Sequence, residues 1–400
     1  MAPRVSLSAF LASAKSALAS STTKKQKLTF VVGNESADLD SLCSALLLAY
    51  LRTYTPPHTL HIPLCHLARD DLTLRPEFTE VLRRASASPD DVITLDDLSA
   101  ASSASAGNLD ADWLLVDHNC LTGRLEAYAN RVIGCIDHHA DEGRVPRDAS
   151  PRVLEQSGSC ASLVVDYCRE AWDELKSKSA AAEEGEQVDA QLAALALGPI
   201  VIDTTNLEAK TKTTAYDVEA VRYLEGKLAA NTEGRPPFDR TAYFTALAGL
   251  KEDISPLSMR DVLRKDYKEW DQGGLKLGTS SIPASFVNLR DKAGNGAQLA
   301  QVVEKWGDEK GLDLVAVMTA FKEAEGNFSR ELMLVARSEK GVEAAKRFEH
   351  EYRGKLELNE WRGGELDHVT EAAWRKCWTQ GKVENSRKQV APMLRQAMTV

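Results

Sequence analysis

Short apolar runs alternate with helical stretches through the first half of the chain. Leu28-Thr29-Phe30-Val31-Val32 leads through Gly33 to a helical run from Ser41 to Tyr54. Trp113-Leu114-Leu115-Val116 and Arg131-Val132-Ile133-Gly134-Cys135-Ile136 are two further runs, and Ala194 to Ile202 is a longer one ending Gly198-Pro199-Ile200-Val201-Ile202. Continuous apolar runs separated by helices read as strands buried on both faces of a parallel sheet. The pattern predicts an α/β fold whose N-terminal domain, residues 25–250, has a mainly parallel sheet flanked by helices.

The pattern changes after about residue 250. Ser258 to Trp270 predicts a helix. Leu312 to Phe321 and Phe328 to Arg337 predict two strands joined by the turn-rich Glu323 to Asn327, and Val369 to Trp378 predicts another helix. This is a smaller α+β domain, residues 256–400, with the junction near Lys251 to Pro256. Ser86 to Gly107, Lys176 to Gln187 and Glu225 to Arg240 read as surface insertions or loops, the last for its Asn231, Gly234, Pro236 and Pro237.

No acidic residue precedes Glu35, and the Ser-, Ala- and Lys-rich start has the composition of a mitochondrial transit peptide. The alternative, and the preferred reading, is an amphipathic helix carrying Leu7, Phe10, Leu11 and Leu18. A chain of 400 residues with 43% hydrophobic content can bury two or three cores. No apolar run approaches the roughly 18 residues of a membrane span. The net charge of -10 argues against general nucleic-acid coating. The 7 cysteines form no Cys-x-x-Cys pair, which suits a reducing compartment. The cytoplasm is the expected location, with the mitochondrial matrix as the alternative. Nothing indicates an obligate protein partner.

The four apolar runs share one property: an aspartate-bearing turn follows each. These are Gly33-Asn34-Glu35-Ser36-Ala37-Asp38-Leu39-Asp40, Asp117-His118-Asn119, Asp137-His138-His139 and Asp203-Thr204-Thr205. Singly, each has a bland reading as a helix cap or turn. Jointly they predict one acidic rim at the carboxyl ends of parallel strands, where open α/β sheets bind ligands. Carboxylates gathered there require cations between them.

This set, over roughly residues 28 to 210, resembles the DHH phosphoesterase superfamily, named for the triplet seen here as Asp137-His138-His139. Ser386-Arg387-Lys388-Gln389-Val390 and Asp266-Tyr267-Lys268-Glu269-Trp270 resemble the arginine–lysine and lysine motifs of the DHHA2 domain. That domain occurs in family II inorganic pyrophosphatases and cytosolic fungal exopolyphosphatases. Arg362-Gly363-Gly364-Glu365 does not supply the Gly-Gly-Gly-His motif of the nuclease branch. The pyrophosphatases begin their first motif with a histidine ligand where this chain has Asn34, so the string is most similar to the fungal exopolyphosphatase version.

The resemblance implies removal of terminal phosphate from linear inorganic polyphosphate by a metal-activated water. It implies two divalent cations, Mg²⁺ before Mn²⁺ or Co²⁺, held by Asp38, Asp40, Asp117, His138 and Asp203, with Asp117 shared and catalytic. Asp137 would orient a ligand histidine. His139 would contact substrate and protonate the leaving oxygen. Lys268, Arg387 and Lys388 would clamp phosphoryl oxygens; without the resemblance they read as solvated charges. Their origin in the second domain implies a site that closes between domains. Asn34 is a weak ligand or a substrate contact. Ser157-Gly158-Ser159-Cys160 caps a helix or offers N–H groups to phosphate, and Arg144, Arg147 and Arg152 line a polyanion path or an exposed loop. His118 reads as a supporting or structural residue, and His58, His61 and His66 as ordinary ones. The competing activities are an inorganic pyrophosphatase and a prune-like phosphodiesterase of nucleotides or short-chain polyphosphate. A polyphosphate-binding scaffold is the non-enzymatic alternative. Nucleic-acid and membrane partners are not expected.

Overall fold

The computed structural model describes residues 4–24, 27–104, 109–177, 182–230, 237–370 and 373–399. Asn231, Gly234 and Pro236 of the loop read from the sequence lie outside them. The chain divides into two compact units, Met1–Lys251 and Glu252–Val400.

The first unit comprises α1 (Leu7–Lys24), β1 (Leu28–Val32), α2 (Leu39–Tyr54), β2 (Ile62–Leu64), α3 (Pro76–Arg84), α4 (Leu95–Ala104), β3 (Ala111–Val116), β4 (Val132–Asp137), β5 (Arg152–Leu154), α5 (Cys160–Ser177), α6 (Ala182–Asp203), α7 (Ala215–Ala229) and α8 (Arg240–Glu252). Its five strands run in the order β2-β1-β3-β4-β5, all parallel. Alternation along each strand feeds two cores. Val31, Leu114, Val116 and Ile136 pack with the buried residues of α2, α5 and α6. Phe30, Val32, Trp113, Leu115 and Cys135 pack on the other face, with Ala14 and Leu18 of α1 and Leu98 of α4. The N-terminal helix is present, with Leu7, Phe10, Leu11 and Leu18 buried. The Ser86–Gly107 stretch, read as an insertion, contains α4 and its buried Leu98 and Ala101.

Three of the four apolar runs are strands, but the fourth is not. Ala194 to Ile202 lies in the 22-residue helix α6, with Pro199 inside it. A short apolar run looks alike in a buried strand and a buried helix, and length decides between them. Gly198 is crowded by Val81 Cγ2 at 2.9 Å and Tyr243 Oη at 3.1 Å from where a Cβ would stand, so glycine permits this close packing. The Tyr243 hydroxyl donates to the Ala194 carbonyl at 3.0 Å.

The second unit comprises α9 (Met259–Lys265), β6 (Tyr267–Gln272), β7 (Leu275–Ile282), α10 (Phe286–Ala293), α11 (Gly296–Lys310), β8 (Leu314–Thr319), β9 (Phe321–Lys322), β10 (Phe328–Ser329), β11 (Glu331–Ala336), α12 (Glu339–Leu356), β12 (Leu358–Glu360), β13 (His368–Val369), β14 (Trp374–Gln380) and α13 (Arg387–Met398). Its main sheet is mixed, in the order β12-β14-β11-β8-β7-β6, with β13 against β14. The two strands predicted around residues 312–337 are β8 and β11, which pair antiparallel.

Two predicted helices are corrected here. The Ser258–Trp270 helix stops at Lys265, and Tyr267–Gln272 pairs antiparallel with β7. Gly273 and Gly274, at φ +59° and +75°, make the hairpin turn between β6 and β7. Of the predicted Val369–Trp378 helix, Val369 belongs to β13 and Trp374–Trp378 to β14, because β14 is held between β11 and β12 and pairing overrides local preference.

Candidate metal centre

Parallel order puts the ends of β1, β3 and β4 on one rim. Asp117 follows β3 in the left-handed region, φ +59°, which aspartate tolerates better than most residues. Its side chain is buried. Oδ2 accepts from the Ser41 hydroxyl at 2.6 Å and from Asn34 Nδ2 at 2.8 Å. Oδ1 faces His138 Nε2 at 3.1 Å. The ligand atoms of Asp117, His138 and His139 all lie within 4.8 Å of one another.

Asp38 and Asp40 bracket the start of α2. Asp38 is its N-cap and accepts from the Ser41 amide at 3.1 Å. Asp40 is buried and turns toward the N-terminus of α5. Its Oδ2 accepts from the Cys160 amide at 2.6 Å, and its Oδ1 from the Ala161 amide at 2.9 Å, Ser159 Oγ at 2.8 Å and Ser44 Oγ at 3.2 Å. The helix start considered for phosphate is therefore served by a carboxylate of the protein, an arrangement the helix dipole favours. Gly33 lets α2 approach this closely, since a Cβ there would lie 2.5 Å from Ser41 Cβ.

Asp203 comes from the carboxyl end of α6 rather than from a strand, and is followed by Thr205, Asn206 and Leu207 at φ 50°, 56° and 70°. Such strain collects where a side chain must be presented in one direction.

The charges of these groups act on one another. Burial first, then Asp38 and Asp40, push the Asp117 carboxyl well above its usual range, against the pull of His138. Burial and Asp40 do the same to Asp203, with Lys251 opposing and Asp38 and Asp117 adding. Asp40 is raised by burial and by Asp38, against His138, Ser159 and Ala161. Burial lowers His138, but its hydrogen bond to Asp117 and the charges of Asp40 and Asp117 outweigh that and raise it to about 10. These mutually repelling carboxylates, of which Asp40 and Asp117 are buried, Asp203 half-buried and Asp38 exposed, form with the half-buried imidazole of His138 a hard-oxygen-plus-nitrogen donor set that fits divalent cations. Asp38, Asp40, Asp117, His138 and Asp203 are the residues that would hold them.

The histidine next along is supported differently from the expectation. Asp137 orients His139, not His138: its Oδ1 lies 2.8 Å from His139 Nδ1, and its Oδ2 accepts from Asn119 Nδ2 at 2.6 Å. Burial would raise Asp137, but these hydrogen bonds hold it below its usual value. His138 is oriented instead by the Ser157 carbonyl, 3.0 Å from its Nδ1. His118 points away from the cluster, with Nδ1 2.9 Å from the Val116 carbonyl, and burial lowers it to about 4.

Asn34 lies beside Asp117. Its Nδ2 donates to Asp117 and its Oδ1 accepts from the Ser36 amide at 2.9 Å. Asn34→His should still bring an imidazole beside Asp117. It is expected to tighten Mn²⁺ or Co²⁺ binding roughly tenfold, the scale of changes around a bound ion. Calorimetric titrations that match the parent would refute this.

Sequence reasoning gave no role to Ser41, Asn119 or Arg75. Arg75 is buried and donates to the Ala37 and Ser36 carbonyls at 3.2 and 2.9 Å, bracing the first turn. Asn119 ties Asp137 to the Ala140 carbonyl and the Glu142 amide, fixing the loop after the triplet. In that loop Arg144 and Arg147 are exposed, and Arg152 pairs with Asp141 at 2.6 Å.

In the second unit, Lys268 lies on β6 opposite Thr279. Arg387 begins α13 and binds Asp266 through Nη2–Oδ1 at 2.6 Å and Nη1 to the carbonyl at 2.9 Å. Asp266 thus joins the two motifs carrying Lys268 and Arg387. Lys388 is exposed in the first turn of α13.

A parallel sheet with aspartates and histidines gathered at its carboxyl rim suits a metal-dependent hydrolase, and the relatives are of that class. Residues 29–200 match the DHH family, N-terminal domain, and residues 245–397 match the DHHA2 domain. The chain belongs to the DHH family, among the members that carry a DHHA2 domain. It is 32% identical over 378 residues to a Schizosaccharomyces pombe protein named "Putative exopolyphosphatase", covering 94% of this chain and 92% of that one. It is 27% identical to the rat "Exopolyphosphatase PRUNE1", covering 94% of this chain and 76% of that protein. It is 23% identical to the manganese-dependent inorganic pyrophosphatase of Methanocaldococcus jannaschii, covering 75% and 85%. The solved "Methanococcus jannaschii putative family II inorganic pyrophosphatase" shares the fold, with a TM-score of 0.51 at 19% identity over 93% of this chain and 99% of that one.

Proposed function

We propose that the chain is an exopolyphosphatase that removes the terminal phosphate of linear inorganic polyphosphate, using divalent cations of which Mg²⁺ is the foremost. The observation that carries this reading is the convergence of Asp117, His138 and His139, whose ligand atoms lie within 4.8 Å of one another, with the charges of Asp38, Asp40 and Asp203 acting on the same centre. The names of the most similar relatives support the substrate. Cations held there supply Lewis-acid activation of water and of the phosphoryl group.

The protein's own groups do the rest. Asp117, fixed by Ser41 and Asn34, presents one oxygen toward His138 and keeps the other occupied. His139 is about two-fifths exposed, and its Nδ1 is committed to Asp137. Its Nε2 is then the atom that meets substrate and gives a proton to the leaving phosphate oxygen, with Asp137 stabilising the imidazolium. In the second unit Lys268, Arg387 and Lys388 are the cationic groups offered to phosphoryl oxygens, the lysines as point charges, with Arg387 held in place by Asp266.

The test is initial phosphate release from long-chain polyphosphate, pyrophosphate and a cyclic dinucleotide, each with Mg²⁺ and Mn²⁺. Long polyphosphate with Mg²⁺ is expected to turn over fastest. Faster release from pyrophosphate would reassign the chain as a pyrophosphatase.

A further inference from the structure

One buried carboxylate stands outside the cluster. Asp217, in the first turn of α7, is fully buried. Its Oδ1 accepts from the Ser159 amide at 3.2 Å and from Ser162 Oγ at 2.7 Å. Its Oδ2 accepts from the Gly158 amide at 2.9 Å, the Thr214 amide at 2.7 Å and Thr214 Oγ1 at 2.9 Å. A carboxylate offers about four lone-pair sites. Five donors, at least two on each oxygen, saturate it, so Asp217 has no capacity left for a cation, whereas among the described residues Oδ2 of Asp40 accepts only from the Cys160 amide.

Two of those donors, the Gly158 and Ser159 amides, belong to the turn that leads into α5. The same turn supports two cluster residues directly. The Ser157 carbonyl orients His138 through Nδ1, which leaves Nε2 facing Asp117. Ser159 Oγ and the Cys160 and Ala161 amides hold Asp40. The turn has no room to relax: a Cβ on Gly158 would meet Thr204 Cγ2 at 2.6 Å, Asp217 Oδ2 at 2.9 Å and the Lys212 carbonyl at 3.1 Å. Residues 157–161 therefore touch the supports of Asp40 and His138 on one side, and Asp217 together with the residue after Asp203 on the other.

We propose that Asp217 is a positioning residue for the metal centre that Asp40 and His138 would help to hold, acting by locking the Ser157–Ala161 turn that supports both. The proposal rests on the metal-centre reading above. Its chemistry explains why an acid stands at this position. Every group facing the side chain is a donor. An asparagine, in either orientation, sets an amide N–H against at least one backbone N–H of the turn or of Thr214. The hydroxyls of Ser162 and Thr214 can rotate away, but a backbone amide cannot.

The experiment uses the full chain, stripped of metal with a chelator, and follows Mn²⁺ binding by the electron paramagnetic resonance signal of free Mn²⁺. Asp217→Asn is expected to weaken one class of Mn²⁺ site about 10- to 100-fold, as loss of outer partners does at other metal centres. The other class should stay within about twofold. Ser162→Ala removes one of the five donors without touching the turn. It should shift the same class in the same direction by a smaller factor, and it keeps the test open if Asp217→Asn does not fold. A purely structural Asp217 would lower the melting temperature yet leave the ratio of the two Mn²⁺ affinities at its parental value, and that result in either folded variant overturns the proposal. So does equal weakening of both classes. A parent chain that binds no Mn²⁺ overturns the metal-centre reading as well, so the two failures are distinguishable.

Discussion

Asp117→Asn is expected to lower phosphate release by more than about 10³-fold, because even outer partners of a metal site cost about 10- to 100-fold when lost. The substitution is nearly isosteric. Asparagine tolerates the left-handed backbone at φ +59° as well as aspartate does, so the change isolates charge from conformation. The lost charge is the one to which His138, Ser41 and Asn34 all turn. An amide there keeps one acceptor and sets an N–H against a donor or the imidazole. The fold should gain from the same change in the absence of metal. Asp38 and Asp40 oppose the Asp117 charge, and neutralising it removes that repulsion. The expected pair of results is loss of turnover with an equal or higher melting temperature in chelator. Steady-state phosphate release and thermal unfolding of the two proteins measure both. Activity within tenfold of the parent would remove Asp117 from the reaction.

The metal-free protein is expected to lose stability as pH rises, and divalent cations should reverse that loss. Asp40, Asp117 and Asp203 all have carboxyls raised above their ordinary range. A folded-state pKa above the unfolded value means that the folded form binds the proton more tightly. That contribution is complete below the unfolded value near 4 and drains away as pH climbs through the folded value. His138, raised to about 10, acts in the same direction: its contribution is complete below about 6.5 and is lost toward 10. Cations replace these protons. At a concentration of about 100 times Kd, they add roughly 2.7 kcal/mol. For a unit of this size that corresponds to a rise of roughly 5–10 °C in melting temperature. Melting curves at pH 5, 7 and 9, in chelator and in Mg²⁺, test this directly. A metal-free melting temperature that climbs with pH would contradict the arrangement of charges described above.

The strands that carry Asp38, Asp117 and the Asp-His-His triplet were legible in the sequence, because runs buried on both faces leave little room for another reading. Asp203 was legible as a member of the set but not as the end of a helix. The apolar stretch before it carries no alternation, and only the 22-residue length of α6 distinguishes the two cases. The helix read over Val369–Trp378 failed for a different reason. Its spacing suits a helix, and the partners that make it a strand lie far away in sequence. Within the site, residue types with strong chemistry stood out, whereas their supports did not. Ser41, Asn119 and Asp217 are common polar residues whose roles depend on what the fold brings opposite them. The exchange of histidines was likewise invisible: Asp137 is adjacent to His138 in sequence, yet it binds His139, two residues on.

The crowding of acids at this centre also bears on an order of assembly. A polyanion of the kind proposed above would meet, before any cation, a rim of its own sign, and the -10 balance of the whole chain would not draw it in. On that reading cations would load first and the polyanion second, so that ion availability would gate substrate entry as well as bond cleavage.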